Sequence, residues 1–381
     1  MYKHLLNIAY WNIRGLSHSD GSCKIHDKEV KELFKRNDVV CLSEVQCGED
    51  AVPDIDGFNS FKLCRGMNTK IKRHFGGLVI FYRKEFRNGM KFLQNKVNDV
   101  IWVKFIGDFF HLEKDLYVCF NYLSPEYSSY YKAMFKDKGL NILDVIEDGI
   151  VEYSSKGHIV LLGDMNARTN VEADFIENDC NMNDFNEHFY KVDKIKSKRS
   201  SQDQVDICVR GRQVLDLCKS LQLRIMNGRT IGDAFGKYTC HKYNGSSVVD
   251  YAITSEVNMK NISFLKVDDF YGNMSDHCSI SLGIRCYINV KKSMYNNVRE
   301  FSETYRWDVS CIAPFQTAFT NSNIQSMVSD FMLIKDNSGE EEVNCMVDKL
   351  TSIYLSVADC TLRKKKYVKK KVKNKKWFSN G

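Results

Sequence analysis

Polar side chains that can do chemistry recur at the ends of apolar runs in this chain. Asn12 follows the first run, Glu44 follows Val39 to Ser43, and Tyr122 closes the run from Leu116. Asp164 and Asn166 follow Ile159 to Gly163, Asp250 sits inside Ser247 to Ile253, and Ser275-Asp276-His277 stands just before the last run. If the runs are strands of packed sheets, these residues gather at one rim, where rigid strands hold functional loops in place. Carboxylates from Glu44, Asp164 and Asp276, amides from Asn12 and Asn166, and the imidazole of His277 form an oxygen-rich set. Such ligands suit a hard cation, Mg²⁺ or Mn²⁺, and not zinc. A hard cation beside a carboxylate base, a His and a Tyr is what phosphoester hydrolysis needs. The metal neutralises developing phosphate charge, a carboxylate activates water, and donors hold the non-bridging oxygens.

Each residue also has a plainer reading. Gly163-Asp164-Met165-Asn166 is also turn chemistry, and a Tyr ending a strand is commonly packing. Glu44 is different, because a carboxylate directly after a buried strand is costly without a partner, and a cation is the natural one. Asp250 in an apolar run needs a partner for the same reason, and His277 can supply it.

The elements that must position these residues are legible. Strands are expected at Leu5 to Tyr10, Val39 to Leu42, Leu78 to Tyr82, Leu116 to Tyr122, Ile159 to Leu162, Val248 to Ile253 and Ile280 to Ile284. Helical spacing joins Val30, Leu33 and Phe34, then Ile142, Val145, Ile146 and Ile150, then Val214, Leu215, Cys218 and Leu221. Interleaved strands and helices over residues 1–287 imply one mixed α/β layered domain. The polar stretch Val171 to Gln204 reads as a long surface loop. Beyond Tyr287 strand signals fade, and residues 288–362 read as a small helical appendage, with amphipathic stretches at Ile312 to Phe331 and Val343 to Val357. A basic tail, residues 363–381, completes the chain.

The ordered motifs are Trp11 to Gly15 (WNIRG), Ser43 to Gln46 (SEVQ), Asn121 to Pro125 (NYLSP), Gly163 to Arg168 (GDMNAR), Val249 to Ile253 (VDYAI) and Ser275 to His277 (SDH). That order resembles the endonuclease/exonuclease/phosphatase superfamily. With Gly211-Arg212, Leu215 to Cys218, Asn227-Gly228-Arg229 and Gly236 to Thr239, it is most similar to the apurinic-type endonuclease of LINE (non-LTR) retrotransposons. The resemblance covers residues 5 to about 286. Trp307-Asp308 and the Lys-rich end resemble, more loosely, the connector before the reverse transcriptase of such elements.

The resemblance implies a four-layer sandwich of two mixed sheets between helices. It also implies a Mg²⁺-dependent (or Mn²⁺-dependent) endonuclease that nicks DNA and leaves a 3′-hydroxyl. By position, Glu44 would ligate the metal with Asn12 beside it and Asp276 as a further ligand. Asp164 would activate or orient water, and Asn166 would hold the scissile phosphate. His277 would contact the phosphate with its ring fixed by Asp250, and Tyr122 would face the phosphate or leaving oxygen. Thr239 would lie at the edge of the site. Independently of the resemblance, Arg14 and Arg168 flank motif residues, where they can contact phosphates of the substrate. Departures are Met165 where Phe is usual, Cys240 where a large aromatic is frequent, and Cys208-Val209-Arg210 without the Asn often found before Gly211.

The chain has 381 residues, 43% hydrophobic and 27% charged, which excludes disordered and fibrous classes. No apolar run approaches the ~18 residues needed to span a bilayer, and none marks a leader, so an intracellular protein without a membrane partner is expected. The 14 cysteines then read as small buried hydrophobes, not as a disulfide framework. The net charge of +7 belongs to the tail: ten of the fourteen residues Arg363 to Lys376 are Arg or Lys, leaving −3 for the rest. Such a block is a solvated end, a nuclear address or a nucleic-acid contact, with DNA as partner and RNA as a further polyanion. The tail and the resemblance together suggest nuclear residence. Competing functions are another phosphoesterase of the same superfamily (abasic-site repair nuclease, deadenylase, inositol-phosphate phosphatase, sphingomyelinase) or a non-catalytic nucleic-acid-binding protein. No obligate protein partner is evident.

Overall fold

A computed structural model describes residues 2–68, 72–93, 97–133, 139, 141–177, 193–289, 304–333 and 340–365. It divides into two compact units, Met1–Lys292 and Ser293–Gly381.

In the first unit the strands are β1 Tyr2–Asn12, β2 Val39–Ser43, β3 Phe58–Leu63, β4 Leu78–Arg83, β5 Met90–Phe92, β6 Val100–Phe105 and β7 Asp115–Tyr122. They continue as β8 Gly157–Asp164, β9 Leu223–Ile225, β10 Cys240–Lys242, β11 Gly245–Ser247, β12 Asp250–Ser255, β13 Ile262–Val267 and β14 Ile280–Asn289. The helices are α1 Lys28–Arg36, the single turns α2 Gly107–Phe110 and α3 Ser129–Lys132, then α4 Ile142–Ser154 and α5 Val209–Ser220. Every strand anticipated from sequence is present.

Two six-stranded sheets result, ordered β13-β14-β1-β2-β4-β3 and β5-β6-β7-β8-β12-β9. Each has one parallel pair near its centre, β1 with β2 and β7 with β8, and antiparallel neighbours elsewhere. The parallel pairs follow from helical crossovers, since α1 lies between β1 and β2 and α4 between β7 and β8.

Strands covered on both faces should be apolar on both, and they are. In β1, Leu6, Ile8 and Tyr10 enter the core between the sheets, where Ile101, Val103, Val118, Phe120, Val160 and Leu162 meet them. The alternate residues Ala9 and Trp11 face the outer layer with Val30, Leu33 and Phe34 of α1. On the far side, Trp102, Tyr117, Ile159 and Leu161 pack against Ile146 and Ile150 of α4 and Val214 and Leu215 of α5. The layers therefore run helix, sheet, sheet, helix.

The segment expected as a surface loop, Val171 to Gln204, is instead partly threaded inside. Asp174, Phe175, Asp193, Arg199 and Asp203 are buried. Burial is tolerated because the charges are matched: Arg229 meets Asp174 at 2.8 Å, Arg224 meets Asp193 at 2.7 Å and Arg168 meets Asp203 at 2.9 Å. Cys41, Cys119, Cys218, Cys240, Cys278 and Cys286 are free and buried.

In the second unit, α6 Ile312–Ala318, α7 Ser322–Met332 and α8 Glu340–Thr361 form a small helical cluster around Ile324, Ile353 and Val357. A short antiparallel pair, β15 Thr304–Arg306 with β16 Arg363–Lys365, departs from the all-helical expectation and takes the first residues of the basic block. The remainder of the tail, residues 366–381, lies outside the described residues. Among the described residues no helix is long and apolar enough to cross a membrane.

Candidate active site

Strand register assembles the rim. Tyr122 pairs with Asp164 in the parallel register of β7 and β8, and Asp250 pairs with Asp164 across β8 and β12, so the three stand in one row. The other sheet contributes from the same edge. Asn12 and Ser43 are partners at the ends of β1 and β2, and Glu44 follows. The segment entering β14 is pinned to β1: Trp11 Nε1 donates to the His277 carbonyl at 2.8 Å, Ser275 Oγ donates to the Asn12 carbonyl at 2.6 Å, and His277 N donates to Ser275 Oγ at 3.1 Å.

One amide ties the sheets together. Asn12 Nδ2 donates to Glu44 Oε1 at 2.9 Å and to Asp164 Oδ2 at 3.0 Å. Asp164 also accepts from Asn166 N at 2.9 Å and from Asn166 Nδ2 at 3.2 Å. Three of the residues around it, Arg14, Glu44 and Asn166, have φ between 45° and 51°. Side chains rarely adopt this left-handed conformation, and such strain persists where surrounding structure enforces it, often at functional sites.

The electrostatics follow from burial. Asp164 is fully buried, and burial, reinforced by Asp250 and opposed by His277, pushes its carboxyl up to about 7. His277 Nδ1 lies 2.8 Å from Asp250 Oδ2, and its Nε2 lies 3.8 Å from Asp164 Oδ2. Burial disfavours the charged ring, but Asp250 and Asp164 outweigh it and hold His277 protonated well above its ordinary range. Burial, with Glu44 and Asp164 nearby, pushes the Tyr122 phenol up, so it is a hydrogen-bond donor at neutral pH.

Several expected residues are placed differently from their anticipated roles. Both Asn166 amide hydrogens are taken, one by Asp164 and one by the Leu123 carbonyl at 2.9 Å, so this side chain orients Asp164 and has no N–H left for a phosphate. Thr239 is fully buried beneath Asp250, not at the edge of the site, where its Oγ1 accepts from Val249 N and Asp250 N, both at 3.0 Å. Arg168 turns inward to Asp203 Oδ1 at 2.9 Å and the Ser246 carbonyl at 3.3 Å, and serves the loop after β8. Asp276 groups with Cys240 and His277, and Glu44 belongs to neither of the metal-competent groupings among the described residues. Tyr130 lies under the Arg65 guanidinium, and Tyr127 is 87% exposed. Ahead of Gly211, the Cys208 sulfur caps α5, accepting from Gly211 N at 3.3 Å and from Arg168 N at 3.2 Å. A Cβ on Gly211 would fall 1.9 Å from the Arg168 carbonyl oxygen, so only glycine lets α5 close on this loop.

Two cations beside the site, buried Lys24 and partly buried Arg65, were not anticipated. Lys24 Nζ donates to the carbonyls of Ile13, at 2.9 Å, and Met274, so one ammonium links the loops that carry Arg14 and Asp276. Arg65 leaves the end of β3, lies 3.5 Å from the Tyr130 ring centroid and pairs with fully buried Asp99, whose carbonyl accepts from Tyr122 N. The pair thus clamps one sheet to the other beside Tyr122. Gly76 leaves room for this guanidinium, since a Cβ there would lie 2.5 Å from Arg65 Cζ. Arg65→Met strands a buried carboxylate and is expected to cost about 3 kcal/mol or more, read from the urea midpoint.

The motif order, the sandwich and this rim have a counterpart among known proteins: the model of the Endonuclease/Exonuclease/phosphatase family matches residues 9–277. The chain belongs to that family. It is a family of nucleases and phosphatases that hydrolyse phosphoester bonds. Among solved structures, the AP endonuclease LMAP from Leishmania major is similar with a TM-score of 0.51 at 12% identity, over 74% of this chain and 88% of that one. The 3′ phosphatase NExo from Neisseria matches at TM-score 0.47 and 16% identity, over 73% and 99% of the two chains. The endonuclease domain of TRAS1, a telomere-specific non-LTR retrotransposon, matches at 0.44 and 14%, over 74% and 98%. No curated protein matches. The family's sandwich architecture is the one built here by the two sheets and their flanking helices.

Proposed function

We propose that this member of the Endonuclease/Exonuclease/phosphatase family is a divalent-metal-dependent endonuclease that nicks DNA, of the LINE retrotransposon type its motifs resemble. The observation that carries this reading is the continuous chain of contacts from Glu44 through Asn12 and Asp164 to His277 and Asp250 on one rim. The oxygen donors at its Glu44 end suit Mg²⁺ or Mn²⁺, and at its other end buried Asp250 Oδ1 is an acceptor without a hydrogen-bond partner.

When bound, the cation supplies charge neutralisation at the phosphate. Glu44 holds it. Asp164, poised near neutrality and oriented by Asn12 and Asn166, accepts the proton of the attacking water. His277, held as an imidazolium by Asp250, donates to a non-bridging oxygen. Tyr122, kept protonated, donates to the phosphate or the leaving oxygen.

The test is conversion of supercoiled plasmid to nicked circle in Mg²⁺ or EDTA, with Asp164→Ala and His277→Ala beside the wild type. Metal-dependent nicking lost in both variants is expected. A folded protein that binds DNA without cutting it would overturn the enzyme reading in favour of a binding module. Cleavage of small phosphoesters but not of plasmid would move it elsewhere in the family.

The basic tail is proposed to add DNA affinity and a nuclear address. Deleting residues 366–381, which spares β16, is expected to flatten the salt dependence of DNA binding by up to about 0.9 for each phosphate that the tail neutralises. An unchanged slope leaves the address alone, to be read by imaging.

A further inference from the structure

Beside the oxygen-rich end of the rim lies a grouping of different chemistry. Ligand atoms of Cys240, Asp276 and His277 lie within 4.8 Å of one another. Their backbones are pinned together. Cys240 and His277 form an isolated antiparallel bridge, His241 N donates to the Asp276 carbonyl at 2.7 Å, and Cys278 N donates to the Thr239 carbonyl at 2.7 Å. The three side chains are thus held close before any ligand arrives.

The imidazole is prepared as well. Asp250 Oδ2 sits on Nδ1 at 2.8 Å, the carboxylate–histidine arrangement that orients a metal-binding ring and leaves Nε2 as the ligand. Cys240 is 1% exposed and His277 4%, while the Asp276 side chain, 18% exposed, opens the way in. Thiolate and imidazole select zinc-like ions over Mg²⁺, whereas the Glu44 end offers only oxygen and amide groups.

We infer that Cys240, Asp276 and His277 form a soft-metal site for Zn²⁺, separate from the hard-cation position at Glu44, with water as the fourth ligand. On binding, the Cys240 thiol and the His277 Nε2 each release a proton to solvent, the S–Zn and N–Zn bonds form, and no electron moves. Zinc bonds of about 2.0–2.3 Å require the side chains to close by roughly 1 Å. The site takes His277 away from a phosphate, so zinc antagonises the magnesium-supported reaction. That consequence rests on the proposed endonuclease, and the binding itself does not.

The test titrates the full chain with Zn²⁺ alone and with Cd²⁺ alone, the latter reporting a thiolate bond through its ultraviolet charge-transfer band. One bound equivalent is expected, with a band that Cys240→Ser removes and a Zn²⁺ affinity at least ~10-fold weaker in Cys240→Ser and Asp276→Asn. The thiols of Cys47 and Cys64 also neighbour each other, so Cys47→Ser runs alongside. A band that survives Cys240→Ser and vanishes in Cys47→Ser overturns the proposal.

X-ray absorption on the wild-type zinc complex does not depend on a variant folding. One sulfur and one imidazole bonded to the zinc support the site, and two sulfurs or none overturn it. In the plasmid assay with Mg²⁺, zinc should stop the wild type at concentrations at least ~10-fold below those needed for Cys240→Ser. Equal inhibition of both overturns the antagonism. Zinc held by Cys240 in a protein that never nicks would confirm the site and reject the endonuclease.

Discussion

Asp164→Asn is expected to lower plasmid nicking by roughly 10²- to 10⁴-fold, the usual contribution of a positioned general base, while making the metal-free protein more stable. The first effect follows from geometry. Asp164 is the meeting point of Asn12, Asn166 and His277, and no other described carboxylate combines full burial, a proton affinity near neutrality and a place in the row with Tyr122 and Asp250.

The second effect follows from linkage. In the fold the carboxyl is raised from 3.8 to about 7, so as pH climbs through this window the unfolded chain releases the proton and the folded chain keeps it. The unfolded state then binds fewer protons, and stability falls with rising pH from about 4 to about 7. An Asn has no such loss. The gap in melting temperature between variant and wild type should be small at pH 4 and widen towards pH 7.5, measured by thermal unfolding without divalent ions. His277, raised above 6.5, adds stability at lower pH that is lost as pH passes its folded value, so it extends the wild-type decline to higher pH. A variant that loses activity and stability together would make Asp164 a structural residue and remove it from the chemistry.

His277→Ala is the second large effect, expected at roughly 10²- to 10³-fold in kcat, the typical loss for one donor to a developing oxyanion. Asp250→Asn should lose most of the same factor, because Asp250 acts through the ring it orients at 2.8 Å. Groups that act as a unit are not additive, so the double variant should be no slower than His277→Ala alone. Single-turnover nicking with saturating plasmid measures all three. Multiplying losses would show that the two residues act separately, and an Asp250→Asn enzyme with normal kcat and raised KM would move Asp250 to substrate binding.

Much of the fold was legible because its central strands are apolar on both faces, and a run such as Ile159 to Leu162 carries that signal whatever its neighbours. Edge strands were not. Phe58–Leu63 has one buried residue and Met90–Phe92 is three residues long, so neither holds a run to recognise. The helices around Val30, Ile142 and Val214 were readable from spacing, since each buries one stripe.

The sequence by itself determined which residues stand at the rim. Asn12, Tyr122 and Asp164 end strands, Asp250 begins one and Glu44 directly follows one, and the end of a strand shares a rim with the start of its antiparallel partner, as Asp164 does with Asp250. Only the tertiary structure decided what each side chain touches. Trp11 reaches the backbone of a residue 266 positions away, Asn12 bridges two sheets, Thr239 slips beneath Asp250, Arg168 turns to Asp203, and Arg65 crosses to Asp99. The physical reason is range. A strand's existence depends on the polarity of a few consecutive residues, whereas a buried polar contact depends on the register of strands far apart in sequence and on which loops have already consumed the available donors.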